Sequence, residues 1–192
     1  ARELTNNAIS DVQNVQNEYL QLKGKNAVTT IQTDGEGPDK KTVLDEYNNN
    51  RLQSVINTYG EKASNGLVKY MFEKSINNTI RKAQSNMIEH SLKEQRTYKL
   101  NEIVKGKDLA IENAKVHYAD FKNPMGKFNM ERRNAHELLI QEANMKGWNM
   151  DENAVGPDGL PLGISNHYLA ARQKLNFDIA SAAIDGLSES KN

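Results

Sequence analysis

The four histidines are the residues in this sequence best suited to metal binding or proton transfer. His136 and Glu137 begin the segment HELLI, and the helix of a zinc protease requires a second histidine one turn after such a pair. Position 140 is isoleucine instead, so the zinc motif is incomplete. The other three histidines show no ligand spacing and are predicted to be surface or partly buried helix residues: His90, His117 and His167.

Adjacent acidic residues suggest acid–base catalysis or calcium binding, and the sequence supports neither. The Asp-Glu pairs at 45–46 and 151–152 lie in polar segments, whereas a catalytic carboxylate needs a desolvated cleft. The segment DGEGPD at 34–39 resembles a calcium loop, yet its fifth and sixth positions are Pro38 and Asp39 instead of an oxygen ligand and a glycine. We therefore predict no catalytic, cofactor-binding or metal-binding residue.

The basic residues give no signal for nucleic acid. The chain has 25 basic and 25 acidic residues and a formal net charge of zero, so no global attraction to nucleic acid or anionic lipid is expected. A nucleic-acid groove usually combines segregated basic charge with aromatic surfaces, whereas these basic residues alternate with glutamates. We predict a solvated helix face for Arg81, Lys82, Lys93, Arg96, Lys99, Lys105 and Lys107, and the same for Arg132 and Arg133.

The composition is that of a polar helical protein. Hydrophobic residues make up 37% and the mean hydropathy is −0.77, as in elongated helical proteins that bury little surface per residue. The absence of cysteine excludes disulfides, thiolate zinc sites and thiol catalysis. No apolar run approaches the roughly 20 residues of a membrane helix. The chain begins at Ala1, as expected of a processed product or a segment of a longer protein.

The first helix is indicated by an apolar stripe with spacings of three and four residues. Gly24 follows the last stripe residue, between two lysines. We predict that Gly24 ends this helix with a positive φ, because glycine is favoured at that position. The stripe consists of Leu4, Ala8, Val12, Val15, Tyr19 and Leu22.

The second helix is predicted after a loop at residues 29–41. Thr42 is a plausible N-cap, with Asp45 at the reciprocal position of a capping box. A short connection around Gly60 and Gly66 leads to the third helix. The apolar face of the second helix comprises Leu44, Tyr47, Leu52, Val55, Ile56 and Tyr59.

The third segment, residues 67–121, contains no proline and predicts either one very long helix or two helices meeting near Gly106. Its first part has a heptad-like seam that becomes polar at His90 and Glu94. We expect the earlier helices to cover the apolar end and the polar end to face solvent, or to meet another subunit or segment in a full assembly. The seam consists of Phe72, Ile76, Ile80, Ala83, Met87, His90 and Glu94, and a shifted apolar face follows from Leu100.

Proline and glycine divide the remaining chain into two shorter helices. Pro124 breaks the long helix, Gly147 is the predicted end of the next, and Trp148 is expected to pack back on a helix end. Ser165 or Asn166 begins the last helix. The fold class is therefore all-α, an elongated helical bundle with one long helix and antiparallel hairpins. Two domains are predicted, 1–121 and a smaller hairpin at 122–192.

A short motif recurs in the sequence: LKGKNAV at 22–28 has a partial counterpart in VKGKDLA at 104–110. This repetition fits either duplicated helical hairpins or coincidence. The order of the longer segments is more informative. EYLQLKGKNAV (18–28), followed after an interruption by VLDEYNNNRLQSVIN (43–57), resembles a recurring segment of internal virion or ejection proteins of tailed bacteriophages.

Three later segments are similar to the helix–small loop–helix units that follow in those phage proteins: GKDLAIENAKVHYADF, ELLIQEANMKGWNMDE and HYLAARQKLNFDIASAAIDG. Thr29-Thr30 and the insertion DGEGPDKK depart from the family pattern. The resemblance implies a non-catalytic helical structural segment that is packaged in the virion and ejected with DNA to line an envelope channel. It implies self-association or other virion proteins as partners, no specific nucleic acid, and membrane contact only in an assembled state.

Two alternatives stay open at this point. One is a free-standing helical interaction module or adaptor in the bacterial cytoplasm. The other is an enzyme with a site that no motif reveals, related to peptidoglycan because some of the similar phage proteins carry a transglycosylase domain elsewhere. No catalytic glutamate context of a transglycosylase is recognisable in this chain, so no catalytic residue is assigned.

Overall fold

The computed structural model describes residues 2–28, 30–31, 41–63 and 66–190, and it confirms the predicted all-α fold. The four longest helices contain 19, 51, 20 and 24 residues, together more than half of the 192-residue chain. The helices are α1 (Arg2–Leu20), α2 (Lys25–Val28), α3 (Val43–Asp45), a π-helix (Glu46–Arg51), α4 (Leu52–Glu61), α5 (Gly66–Val116), a 3₁₀-helix (Tyr118–Asp120), α6 (Lys127–Lys146) and α7 (Asn166–Glu189).

A small antiparallel ladder joins β1 (Thr30–Ile31) to β2 (Lys41–Thr42). Thr30 is opposite Thr42, so the ladder closes the segment that the sequence predicts as a loop between the first two helices. The DGEGPD segment at 34–39 lies outside the described residues. Because each strand has two residues, the ladder is too short to form a layer of the fold.

The contacts within the chain define two compact units, Ala1–Tyr98 and Lys99–Asn192. The boundary lies inside α5, whereas the sequence placed it between residues 121 and 122. The difference arises because the last turns of α5 contribute to the same core as α6 and α7. α5 runs without interruption through Gly106, so the long segment is one helix up to Val116.

The core of the first unit joins α1, α4 and the apolar end of α5. The predicted stripe of α1 and the predicted seam of α5 meet here, as expected from their spacing. Tyr59 donates a hydrogen bond of 2.6 Å to Oδ2 of Asp11, and Arg51 pairs with Glu18. The later residue of α1, Glu18, thus contacts the earlier partner, Arg51, and the earlier residue, Asp11, contacts the later partner, Tyr59. α1 and α4 are therefore antiparallel. The buried core comprises Ala8, Val12, Tyr19, Leu52, Phe72, Ile76, Ile80, Ala83 and Met87.

The helical run that contains α3 and α4 begins at the predicted capping box and widens in its middle. Oγ1 of Thr42 accepts from the Asp45 N–H at 3.1 Å, and Oδ2 of Asp45 accepts from the Thr42 N–H at 2.9 Å. The N–H of Leu52 then donates to the carbonyl of Tyr47, five residues back. This wider turn is a π-helix, which the sequence interpretation did not include.

The core of the second unit is formed by the last part of α5 with α6 and α7. Asn113 contacts Glu131, and Lys107 pairs with Glu142. Because the order of the residues is reversed between the two helices, α5 and α6 are antiparallel. The buried core comprises Ala110, Ala114, Phe128, Ala135, Leu139, Leu175 and Ile179.

The connection between α6 and α7 begins at the predicted glycine stop. Gly147 has a φ of +70°, and the N–H of Trp148 donates to the carbonyl of Ala143 at 2.9 Å, which closes the helix end. At the far end of the connection, the N–H of Ser165 donates to the carbonyl of Asn149 at 2.9 Å. Ser165 is the N-cap residue of α7, although its side chain makes no capping hydrogen bond.

Candidate interaction surface

The histidines have separate local environments. His90 Nε2 lies 2.7 Å from the carbonyl oxygen of Leu22. Burial, the largest effect, lowers the pKa of His136 below its ordinary value of 6.5. His167 stacks on Trp148, with ring centroids 6.0 Å apart. Among the described residues, no group of three or more His, Cys, Asp or Glu side chains is arranged to hold a metal ion.

The LKGKNAV segment forms a turn that is held against α5. Gly24 has the predicted positive φ, +52°, although α1 already ends at Leu20 and Gly24 precedes α2 instead of capping α1. The N–H of Gly24 donates to Oε2 of Glu94 at 2.6 Å, and His90 contacts the carbonyl of Leu22. The expectation that His90 and Glu94 face solvent or another subunit is therefore wrong, because both hold this turn.

Tyr19 is fully buried beside the same turn. Its hydroxyl donates to the carbonyl of Ala27 at 3.1 Å, and its ring meets Tyr47 and His90 edge-on, with centroid distances of 5.1 and 5.8 Å. Burial raises the pKa of Tyr19 above its ordinary value, as expected for a phenol in an apolar environment. We assign this cluster a structural role in fixing the turn between α1 and α2.

Glu142 is a buried carboxylate in the second unit, with 5% of its surface exposed. Lys107 of α5 pairs with one carboxylate oxygen, and Lys146 of α6 donates to the other at 2.5 Å. Burial alone would raise the pKa of Glu142, but the hydrogen bonds from Lys107 and Lys146 outweigh it and hold the pKa below its usual value. The carboxylate is therefore held ionised, whereas a general acid at neutral pH needs a raised pKa.

The prediction of a solvated helix face is wrong for Lys107, because only 17% of its side chain is exposed and it pairs with the buried Glu142. The signal that we overlooked is the position of Glu142. It lies three residues after Leu139 and seven residues after Ala135, both on the buried side of α6, so it faces the core as they do. The predicted exposure holds for the other basic residues considered: Arg81, Lys82, Lys93, Arg96, Lys99, Lys105, Arg132 and Arg133.

The two K-G-K motifs differ in structure, so they do not form a repeat. Gly24 belongs to a turn with positive φ, whereas Gly106 lies inside α5. Cδ1 of Leu138 lies 3.0 Å from the place that a Cβ at Gly106 would occupy. Gly24 thus permits a left-handed backbone conformation, and Gly106 permits a close approach of α6 to α5.

Trp148 packs on the start of α7, as the sequence predicts. Its ring stacks on His167 and also lies 4.7 Å from Nζ of Lys146. Lys146 therefore contacts both the buried carboxylate of Glu142 and an aromatic face. These contacts join the end of α6 to the beginning of α7.

The acidic pairs have conformational roles. Asp45 forms the capping box described above. Oδ1 of Asp151 accepts the N–H of Asn153 at 2.8 Å, and Oδ1 of Asn149 accepts the N–H of Asp151 at 3.1 Å. These are local turns of the connection between α6 and α7, in which carboxylate and amide groups commonly bond to the backbone.

α7 carries apolar residues on two opposite sides. One side is buried and contains Leu175, Ile179 and Ala182. The other side is apolar with spacings of four and three residues in its C-terminal half, and its members are exposed, with 70% of Phe177 and 64% of Ile184 accessible. We call this second side the outer α7 stripe, and it comprises Leu169, Phe177, Ala180, Ile184 and Leu187.

An apolar groove of about 380 Å³ lies beside the outer α7 stripe. Its walls come from the 3₁₀-helix and the residue after it on one side and from α7 on the other. Phe121 keeps 55% of its surface exposed at one wall, and Leu187 keeps 46% at the other. The groove is lined by Tyr118, Ala119, Phe121, Ala183, Ile184 and Leu187.

Comparison of the chain with protein-family models, with curated proteins and with solved structures finds no match. None of the described helices combines the length and the apolar character required to cross a membrane.

Proposed function

We propose that this chain is a non-catalytic helical segment that acts by assembling with protein, and that it belongs to an internal virion or DNA-ejection protein of a tailed phage. The observation that supports assembly is the outer α7 stripe together with its groove. Contiguous exposed apolar surfaces commonly mark interaction sites, because leaving them in water is unfavourable. A helix needs one apolar side to pack in its own core, whereas α7 has a second apolar side that is exposed.

The polar clusters support a structural role as well. The buried carboxylate of Glu142 is neutralised by two lysines, and the His90 and Glu94 side chains bind backbone groups of a turn. These side chains thus complete internal hydrogen bonds that stabilise helix positions. A catalytic acid or base must instead direct its polar atoms at a substrate.

The virion assignment is supported by the ordered resemblance of the segments at 18–28, 43–57, 106–121, 137–152 and 167–186 to those phage proteins. It makes other virion proteins or further copies of the chain the expected partners, and the virion the expected location. Contact with a membrane is proposed only for the assembled state, and no specific nucleic-acid contact is proposed.

The test is mass spectrometry of gradient-purified, nuclease-treated virions of the phage or prophage that encodes the chain. We expect peptides from this chain in intact virions, in several copies per particle, and their loss from particles that have ejected DNA. Peptides confined to the soluble fraction of infected cells would contradict the virion assignment and favour a cellular adaptor. Peptidoglycan cleavage by the purified chain would contradict the non-catalytic assignment.

A further inference from the structure

We propose that α6 and α7 together form a binding site for a small phosphate ester, with one arginine from each helix as its main contacts. The two arginines are Arg132 of α6 and Arg172 of α7. Both are exposed, so a ligand can reach them from solvent. Between them lie His136 of α6 and Asn176 of α7, whose side chains share a hydrogen bond. We call these four residues the phosphate site.

The packing of the two helices sets the positions of the arginines. The end of α6 contacts the beginning of α7, whereas His136, in the middle of α6, bonds to Asn176 further along α7. The two helices are therefore antiparallel. Arg132 lies one turn before His136, and Arg172 lies one turn before Asn176, each about 6 Å along its helix. The arginines thus approach the His136–Asn176 pair from opposite ends.

The positive charge of the phosphate site lacks an acidic partner. Burial is the largest cause of the lowered pKa of His136, and the two charges that lower it further, Arg172 and Arg132, are both positive. Within the described part of the chain, neither arginine forms an ion pair. Like charges close to one another are unfavourable. A bound anion would remove this repulsion, as Glu142 does for Lys107 and Lys146.

The use of arginine favours an anion with several oxygens. The second unit contains three arginines, Arg132, Arg133 and Arg172, and its other cationic side chains besides histidine are lysines. A guanidinium presents a planar fork of N–H donors that binds two oxygens of one anion, whereas a lysine acts as a point charge. One fork matches a carboxylate. A phosphate ester has three free acceptor oxygens and nearly two negative charges, so it can bind both forks at once.

The surface beside the phosphate site is suited to the organic part of an ester. Ile140 lies one turn after His136 on α6, and Leu169 lies three residues before Arg172 on α7. Because the helices are antiparallel, both apolar residues lie at the same end of the site. Ile140 keeps 42% of its surface exposed and Leu169 keeps 37%, so both can contact a ligand.

Nuclear magnetic resonance of the four histidines tests the site in the whole chain, with phenyl phosphate as the probe. Replacing chloride with phenyl phosphate at constant ionic strength should raise the pKa of His136 by about one pH unit, because a nearby anion favours the imidazolium form. The internal controls are His90, His117 and His167, which should not respond. No response of His136, or an equal response of all four histidines, would overturn the site.

Substitution of the arginines separates charge from geometry. Arg132→Gln and Arg172→Gln should each weaken the binding of phenyl phosphate about tenfold or more. Arg172→Lys keeps the charge and loses the fork, so it should weaken binding while the pKa of His136 in chloride stays at the wild-type value. Arg81→Gln, at an exposed position of α5, is the matched control. All variants should keep the helical circular dichroism of the wild type, and wild-type affinity in both glutamine variants of the site would overturn the proposal.

Three further probes identify the ligand class. Benzoate has the same ring with a carboxylate and should bind about tenfold more weakly than phenyl phosphate. Inorganic phosphate should also bind more weakly, because it lacks the organic part. Equal binding of benzoate would exclude the phosphate preference, and equal binding of inorganic phosphate would exclude the ester. Tighter binding of a duplex oligonucleotide without terminal phosphates would favour nucleic acid and overturn the small ligand. None of these results depends on the virion assignment, which mass spectrometry tests separately.

Discussion

The backbone N–H of Gly24 donates a hydrogen bond of 2.6 Å to Oε2 of Glu94, a residue 70 positions later in the chain. This contact joins the turn between α1 and α2 to the long helix α5. It also explains why the α5 seam becomes polar after Met87, since an apolar residue at 94 would leave the Gly24 N–H without this acceptor. The polar residues at the end of the seam thus stabilise the first unit itself.

Replacing Glu94 should therefore destabilise the first unit. A hydrogen bond to a charged acceptor contributes about 1.5–3 kcal/mol, and Glu94 is partly exposed, so we expect Glu94→Ala to lower the free energy of unfolding by about 1–2 kcal/mol. Glu94→Gln keeps an acceptor oxygen and should cost less. The control is Glu89→Ala, at an exposed position of the same helix, with an expected effect below about 0.5 kcal/mol. Urea denaturation followed by circular dichroism measures all three, and equal losses for Glu94→Ala and Glu89→Ala would contradict the assignment.

Two glycines allow a matched test of backbone strain. Gly24 has a φ of +52°, whereas Gly60 lies inside α4. At both positions an added Cβ would contact nothing within 4 Å, so the two substitutions differ only in backbone conformation. Gly24→Ala should lower the free energy of unfolding by about 1–2 kcal/mol, because alanine is strained in the left-handed region. Gly60→Ala should raise it by about 0.5–1 kcal/mol through helix propensity. Thermal melts of both variants check the opposite signs, and a stabilising Gly24→Ala would show that the turn relaxes.

Local patterns in the sequence predicted the parts of the fold that depend on neighbouring residues. The capping box of Thr42 and Asp45 and the left-handed stop at Gly147 follow from rules that involve a few adjacent positions. The π-helix also left a local signal, because the apolar pattern steps by five residues from Tyr47 to Leu52. α-Helical spacing consists of steps of three or four residues, so a step of five could have indicated the π-helix. The sequence analysis treated the segment as an ordinary α-helix instead.

Local sequence patterns do not predict the long-range polar contacts. The contact of His90 with Leu22 and the pair of Lys107 with Glu142 join positions far apart in the chain. Which residues meet depends on the register of one helix against another, and local sequence patterns do not determine that register.

The outer α7 stripe was missed for a different reason. The apolar spacing of Leu175, Ile179 and Ala182 predicts the buried side of α7 correctly, but core packing requires only one apolar side, so the sequence analysis did not consider the second.

The second half of α5 should be as sensitive to truncation as the first half. Ile80 and Ile103 keep 7% and 4% of their surface exposed, so Ile80→Ala and Ile103→Ala should each cost about 2–5 kcal/mol. For Ile103 this large loss follows from its burial in the structure. Leu92→Ala is the control, because 61% of Leu92 is exposed. Denaturation of the three variants measures these losses, and an Ile103→Ala loss as small as that of Leu92→Ala would contradict the burial of Ile103 in a core.

The ion pairs of Glu142 predict a specific pH dependence of stability. Lys107 and Lys146 hold the folded-state pKa of Glu142 below its ordinary value of 4.5, despite the opposing effect of burial. The folded state therefore favours the ionised form more than the unfolded state does. The stabilisation should be fully present above about pH 4.5 and should be lost as the pH falls through the lower, folded-state pKa.

Glu142→Gln should remove this dependence, because glutamine does not titrate. At neutral pH we expect the variant to lose about 3 kcal/mol, since it leaves two lysines beside a buried neutral group. The loss relative to the wild type should shrink on acidification below about pH 4.5. Glu137→Gln, at an exposed position of α6, is the control and should track the wild type. Trp148, the only tryptophan of the chain, lies beside Lys146 and reports unfolding of this unit by fluorescence. A gap between Glu142→Gln and the wild type that stays constant from neutral to acidic pH would show that the carboxylate does not gain its stability from ionisation.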